Sequence, residues 1–151
     1  MYAQKLKYIE YRNELKKKDA AKALGISEVM YSKYKKEIQI FLISKLKLLC
    51  NYYNISIDYI FELTENNNYP NLSKEINNHL MTKRLKDLRK EINMTQKQLS
   101  KVLSLGQSTL AEYERRTYII STYTLYSLCI NYKISADCLL GTIDFPKYID
   151  R

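Results

Sequence analysis

Apolar residues in the second half of the chain recur at helical spacing. One face of a first predicted helix is formed by Leu80, Leu85, Leu88 and Ile92. Thr95 and Gln98 then match the capping box that opens a second helix, whose buried side is expected to be formed by Leu99, Val102 and Leu103. The pattern predicts three further short helices over 107–114, 124–132 and 135–141. This half of the chain is therefore expected to be a small all-α unit of five helices.

The same pattern occurs twice along the chain. At an offset of 79 residues, the segment from Lys5 to Phe61 aligns with the second half without a gap. Equivalent pairs include Leu24/Leu103, Tyr34/Tyr113, Leu46/Leu125, Cys50/Cys129, Tyr53/Tyr132 and Asp58/Asp137. A solenoid needs at least about three repeats. Two tandem copies of one helical domain are the better interpretation.

The segment 64–73 separates the two copies. It is rich in Asn and contains Pro70, and these residue types favour turns and interrupt helices. We predict an N-terminal domain over 1–63, a linker over 64–73 and a C-terminal domain over 74–151. Ser73 is expected to cap a short helical lead-in to the second domain.

Composition adds a basic surface to this helical picture. The chain has 151 residues, 25 Lys and Arg against 16 Asp and Glu, and a formal net charge of +9. Residues 1–65 carry 12 basic and 8 acidic groups, and residues 66–151 carry 13 and 8, so both halves are basic. Only three glycines and two prolines are present, which argues against an all-β fold and excludes Gly-rich phosphate loops.

Few residues of this chain suit catalysis or metal binding. The one histidine, His79, is expected to be a solvated connector residue, and the three cysteines form no CxxC pair. A zinc site needs about four N or S ligands, so neither a metal, another cofactor nor an enzymatic activity is expected. No apolar run reaches the roughly 18–20 residues of a membrane helix, and no secretory signal opens the chain. The expected location is the cytoplasm.

The second copy resembles a known family in detail. Two short helices joined by a tight turn are a helix-turn-helix unit. The matching residues are Thr95-Gln96, Leu99-Ser100, Leu103, Ser108-Thr109-Leu110, Tyr113-Glu114, Leu125, Leu128-Cys129 and Ile134-Ser135-x-Asp137-x-Leu139-Leu140. They resemble the phage-repressor-like helix-turn-helix family of the Cro/C1 (XRE) type over 81–141. The resemblance implies two tandem five-helix lambda-repressor-like domains and sequence-specific repression of transcription on double-stranded DNA.

The first copy resembles the family more loosely, over 5–62. It keeps the turn residues 24–27, Leu-Gly-Ile-Ser, and the closing segment 55–61. It has Lys16-Lys17 where the second copy has Thr95-Gln96, so it lacks the usual capping residue and phosphate-binding Gln. This divergence leaves open a function in which one or both domains bind protein, as in an anti-defence or antitoxin-like factor.

The resemblance implies which residues face DNA, because the third helix of each domain should enter the major groove. In the second copy the base-facing candidates are Gly106, Gln107, Ser108, Thr109 and Glu112, and the phosphate candidates are Gln96, Arg115, Arg116 and Thr117. In the first copy the corresponding residues are Ser27, Glu28, Val29 and Lys33, with Lys17 and Lys36 for phosphates. A single chain would span two unlike half-sites, or alternatively one domain would bind DNA while the other forms a homodimer.

One charge pair of the family is reversed between the copies. The family pairs a Glu at the end of the third helix with an Arg on the first, here Glu114 and Arg89. The equivalent residues of the first copy are Lys35 and Glu10. Both signs change together, so we predict an ion pair in each domain. The recurring tyrosines 34/113 and 53/132 are expected to pack in the core rather than stack on bases.

Overall fold

Ten helices make up the part of the chain that the structure describes. The computed structural model describes residues 1–14, 16–115 and 118–149, and in these residues no strand occurs beyond one isolated bridge between Ile134 and Tyr148. The helices are α1 (Ala3–Asn13), α2 (Lys17–Leu24), α3 (Glu28–Lys35), α4 (Ile43–Tyr53), α5 (Ile57–Ile60), α6 (Asn78–Glu91), α7 (Gln96–Val102), α8 (Gln107–Glu114), α9 (Thr122–Tyr132) and α10 (Ala136–Leu139). The predicted all-α fold of two tandem five-helix domains is confirmed.

Hydroxyl side chains cap the N-termini of half of the described helices. The N-cap residues Ser27, Ser56, Ser121 and Ser135 each accept a hydrogen bond from the amide three residues further on. α2 begins after Lys16 without any side-chain cap, as its sequence predicts. At the end of α10, Gly141 has φ +73°, and a Cβ there would lie 2.8 Å from Asn77 Cβ, so a glycine is required.

Three local predictions were wrong. Ser73 starts no helix. Its Oγ accepts from the Glu75 amide, and Asn77 is the residue that caps α6. Met81, rather than Leu80, is fully buried on α6. Val102, the last residue of α7, is exposed, while Ser100 is buried and donates to Lys97 O.

The recurring tyrosines pack as expected. Tyr113 is buried, and Tyr34 stacks on Phe41 with 4.5 Å between ring centroids. Tyr53 and Tyr132 are partly buried against the same core. These rings therefore serve the interior, and they do not form a platform for base stacking.

The segment after each set of five helices folds back on its own domain. Asn67 O accepts from Ser56 N at 2.8 Å, and Lys147 O accepts from Ser135 N at the same distance. The hydroxyl of Tyr69 donates to Asp58 at 2.8 Å. The segment 64–73 contains no helix, and these bonds hold part of it against the first five helices.

The two domains contact each other through α5 and α10. The Asp58 carboxylate accepts from Ala136 N at 2.6 Å and from Ser135 Oγ at 2.5 Å. In return, Asp58 N donates to Asp137 Oδ2 at 2.7 Å. Both aspartates are completely buried, so each supplies an acceptor inside the contact between the domains.

Burial of two carboxyl groups raises the pKa of both. For Asp58 the main cause is loss of hydration, followed by repulsion from Asp137. For Asp137 the main cause is also loss of hydration, against which hydrogen bonds and the nearby Lys47 act. The Lys47 ammonium is itself buried, and its Nζ has no hydrogen-bond partner among the described residues.

The raised pKa values predict how stability changes with pH. An unfolded Asp titrates near pH 4, so between that pH and the raised native pKa the folded chain holds a proton more tightly than the unfolded chain. The free energy of unfolding should therefore fall as the pH rises from 5 to 8, by up to about 1.4 kcal/mol per pH unit below the native pKa of each carboxyl group. Urea unfolding at both pH values measures this change.

Asp58→Asn is the variant that isolates the effect. It should reduce the fall in stability between pH 5 and pH 8, because it removes one titrating group from the buried pair. Contributions from groups outside this contact are common to both proteins and cancel in the difference. If the stability of the variant falls between pH 5 and pH 8 as much as that of the wild type, Asp58 is not one of the groups that cause the fall.

Candidate nucleic-acid interface

The helix-turn-helix of the second domain consists of α7, a short turn and α8. Thr95 Oγ1 accepts from Gln98 N at 3.1 Å, and Gln98 Oε1 accepts from Thr95 N at 2.9 Å, which confirms the predicted capping box. Gln96 is the first residue of α7 and is half-exposed. Amides in the first turn of a helix lack partners within the helix, so this end of α7 favours an anion such as a phosphate.

α8 has one buried and one solvated side. Leu110, Tyr113 and Glu114 are buried. The opposite side carries all five predicted base-facing residues. Gly106, Gln107 and Ser108 are exposed, and Thr109 and Glu112 are half-exposed. The structure thus brings these residues together on one surface at the start of α8.

A groove beside α8 extends this surface. It is lined by Ser108, Thr109, Glu112, Tyr113, Tyr118 and Ile119. Tyr118 and Ile119 are exposed, and they were not among the residues predicted to face DNA. The sequence does not indicate that these two residues line an exposed groove, because an apolar residue in a loop is ordinarily expected to be buried.

Arg115 follows α8 with its side chain 67% exposed. Its Nε donates to Ala111 O at 3.3 Å, and its Nη2 lies 3.5 Å from Glu112 Oε1. A guanidinium held at the end of α8 can still donate to a phosphate with its remaining N–H groups. The other two predicted phosphate contacts, Arg116 and Thr117, lie outside the described residues.

The ion pair behind α8 holds that helix against α6. Arg89 Nε donates to both Glu114 carboxylate oxygens, at 3.1 and 3.0 Å, and Nη2 donates to Oε1 at 3.0 Å. Its Nη1 also donates to Met94 O at 3.0 Å. The Glu114 side chain is only 4% exposed. This bidentate geometry fixes the orientation of α8 relative to its own domain.

The first domain contains the predicted pair with reversed sign. Lys35 Nζ pairs with Glu10 Oε2, and the Tyr31 hydroxyl donates to Glu10 Oε1. The Lys35 side chain is 33% exposed, so this pair is more solvated than Arg89–Glu114. The prediction of one ion pair in each domain is confirmed.

The outward side of α3 presents residues different from those of α8. Every predicted contact of the first domain is exposed or half-exposed, namely Lys17, Ser27, Glu28, Val29, Lys33 and Lys36. The Ser27 hydroxyl accepts from Met30 N at 3.1 Å, so it has a structural role at the start of α3. Val29 is 67% exposed and gives this side an apolar element that α8 lacks. The two surfaces therefore suit different chemical partners.

The arrangement defines a protein built from two helix-turn-helix domains. The helix-turn-helix family model, of the Cro/C1 (XRE) type, matches the chain twice, over residues 7–60 and 85–137. These two matches cover more than half of the chain. The chain belongs to this family, whose regulators bind double-stranded DNA.

Two relatives from Bacillus subtilis (strain 168) are similar over 65 residues, or 43% of this chain. The HTH-type transcriptional regulator ImmR is 38% identical over 51% of its own length. The uncharacterized HTH-type transcriptional regulator YobD is 32% identical over 58% of its length. The chain thus spans about half the length of these relatives. No solved structure matches the chain.

Metal-ligand groups, cysteines and membrane helices are the other features that could indicate a site in the described part of the chain. No group of three His, Cys, Asp or Glu side chains in residues 1–14, 16–115 and 118–149 could hold a metal ion. The three cysteines are buried as free thiols, and burial raises the pKa of Cys50 and Cys129. None of the described helices is both long and apolar enough to cross a bilayer.

The two ion pairs should differ in their contribution to stability. Arg89→Met leaves the buried Glu114 carboxylate without its cation and should cost about 3–5 kcal/mol. Lys35→Met should cost only about 1 kcal/mol, because that pair is more solvated and Tyr31 still donates to Glu10. Urea unfolding of both variants at one pH measures the difference. If both variants lose the same free energy of unfolding, the burial of Glu114 does not make the Arg89–Glu114 pair the more important one.

Proposed function

We propose that this protein is a sequence-specific repressor that binds double-stranded DNA with α8, and with α3, in the major groove. The observation that carries the proposal is the solvated side of α8, where Gln107, Ser108 and Glu112 lie opposite a fully packed side. An α-helix fits the major groove of B-DNA, where each base pair presents a distinct set of donors and acceptors. Repression follows if the bound protein occupies a promoter and blocks polymerase.

The residues of the second domain have complementary roles in this proposal. Gln107 makes the paired donor and acceptor contact that adenine offers at N6 and N7, and Glu112 accepts from cytosine N4. Gln96 and the first amides of α7 contact one phosphate, and Arg115 contacts another. The phosphate contacts set the position of α8, while the base contacts supply the sequence preference.

The first domain reads a different set of bases in the same way. Val29 contacts a thymine methyl group, and Lys33 donates to guanine O6 and N7. Lys17 and Lys36 contact phosphates as point charges. No side chain accepts from the first amides of α2, and Lys17 at that position supplies the positive charge that Gln96 lacks.

A second candidate function for the first domain is the binding of a protein. It is favoured by the exposed apolar side chains of Val29, Ile38 and Leu42, which lie on or just after α3. Against it, the outward side of α3 also carries Lys33 and Lys36 and is not dominated by acidic residues. DNA binding by both domains is therefore the primary proposal.

Selection from a random duplex library, repeated across salt concentrations, tests the proposal. Gln107→Ala should lose about 1–3 kcal/mol of preference at one base pair, which is roughly a 5- to 150-fold loss of discrimination. Arg115→Gln should weaken binding to all sequences alike and lower the slope of log K against log salt by about 1. The wild-type slope itself should be steep, because phosphate contacts release counterions.

Lys133→Asn is the matched control for Arg115→Gln. Lys133 ends α9 with φ +53°, a conformation that Asn accepts, and it lies about 16 Å along α9 from Thr122. It removes the same charge at the C-terminal end of α9, outside the predicted contacts, and should leave both the affinity and the salt slope nearly unchanged. An absence of enriched sequences together with a flat salt response would refute the DNA-binding proposal.

A further inference from the structure

The elements that form the contact between the two domains are equivalent to each other in the sequence repeat. α5 and α10, which pack together, occupy equivalent positions in the two copies. A cleft of about 390 Å³ between the domains is lined by residues 40–44 and 119–123, which are also equivalent at the offset of 79. Contacts between equivalent elements are the mark of a two-fold, isologous interface. One chain therefore contains the arrangement that a symmetric dimer builds from two.

The buried hydrogen bonds follow the same two-fold pattern. Asp58 accepts from the Ala136 amide, while the Asp58 amide donates to Asp137. The backbone of Ile57, the equivalent of Ala136, also stabilises the ionised form of Asp137. Each domain thus places an acidic side chain at the N-terminus of the short helix in the other domain.

Other contacts break the symmetry and join unlike domains. Thr122 Oγ1 donates to Phe41 O, and its equivalent in the first domain, Ile43, has no side-chain donor. Tyr126 packs edge-on against Phe61 with centroids 5.3 Å apart, while its equivalent is the buried Lys47. Two first domains could make neither contact, and two second domains would lack the ring contact, because Leu140 is the equivalent of Phe61. The surface therefore favours the pairing within one chain over pairing between chains.

We propose that a single chain binds one asymmetric operator composed of two different half-sites in inverted orientation at a fixed spacing. This inference rests on the proposed function. The two-fold contact relates α3 to α8, so both helices approach one face of the duplex in opposite directions, about one turn or 34 Å apart. Because the exposed residues of α3 and α8 differ, the two half-sites differ. The internal contact uses the surface that would otherwise pair two chains, so one chain suffices.

The half-sites are assigned to the domains by chemistry. α8, with Gln107 and Glu112, takes the half-site with adenine and cytosine on the contacted strand. α3, with Val29 and Lys33, takes the half-site with thymine and guanine. A palindrome made from either half-site alone should bind more weakly than the composite operator.

The test uses the full chain and the duplex that it enriches from a random library. The enriched sequence should contain two unlike inverted motifs, and sedimentation of the complex should give one chain per duplex. Inserting about 5 base pairs between the motifs turns one half-site to the opposite face. That insertion should reduce affinity about tenfold or more, because the contacts of one domain are lost.

Two protein variants show which domain binds which DNA motif. Gln107→Ala should relax preference only in one motif, and Lys33→Ala only in the other. Both residues are exposed, so these variants keep the fold. Enrichment of a palindrome bound by two chains, of a single half-site insensitive to Lys33→Ala, or of motifs tolerant of the insertion would overturn the inference. Each of these results would leave DNA binding intact, whereas no enrichment with a flat salt response would refute the proposed function itself.

Discussion

The relation between the two domains depends on two carboxylates buried at their contact. The first amides of a helix have no partner inside the helix, and at α10 the Asp58 carboxylate of the other domain fills this role. A buried carboxylate costs several kcal/mol unless it is hydrogen-bonded. Here Ser135, Tyr69 and a backbone amide donate to Asp58. Separating the domains would exchange these directional hydrogen bonds for bonds to water, so the bonds fix how the two domains are oriented when docked.

This contact gives the repeat a functional meaning. In the proposed function, a duplicated domain brings two copies of one recognition helix into one chain, and a two-fold contact orients them as a pair. Each domain then holds its own helix in place, α8 by the buried Arg89–Glu114 pair and α3 by the Lys35–Glu10 pair. The reversed sign of the second pair shows that the two copies diverged while the packing between the first and third helices was kept.

Local features of the fold could be predicted from the sequence, while contacts between distant segments could not. The capping box at Thr95 follows from residue types at fixed spacing, whereas the two ion pairs follow from the family resemblance together with the repeat. Periodicity places a helix only to within about one residue, so it does not distinguish Met81 from Leu80 as the buried residue of α6. Ser73 starts no helix because its hydroxyl accepts from the Glu75 amide in a local turn, and α6 begins four residues later at the Asn77 cap. The alignment also pairs Asp58 with Asp137 as equivalents. Nothing in it indicates that the two residues meet, because periodicity shows which side of a helix is buried but not what covers it.

Amide hydrogen exchange at Ala136 in the full chain tests the docking of the domains most directly. This amide is at the first position of α10, and its acceptor is the Asp58 carboxylate of the other domain. Gln107, at the first position of α8, is exposed and serves as the reference. If the domains are docked through this bond, Ala136 should exchange as slowly as core amides such as Leu85 and Leu128. Exchange at Ala136 as fast as at Gln107 would contradict a fixed contact between the two domains.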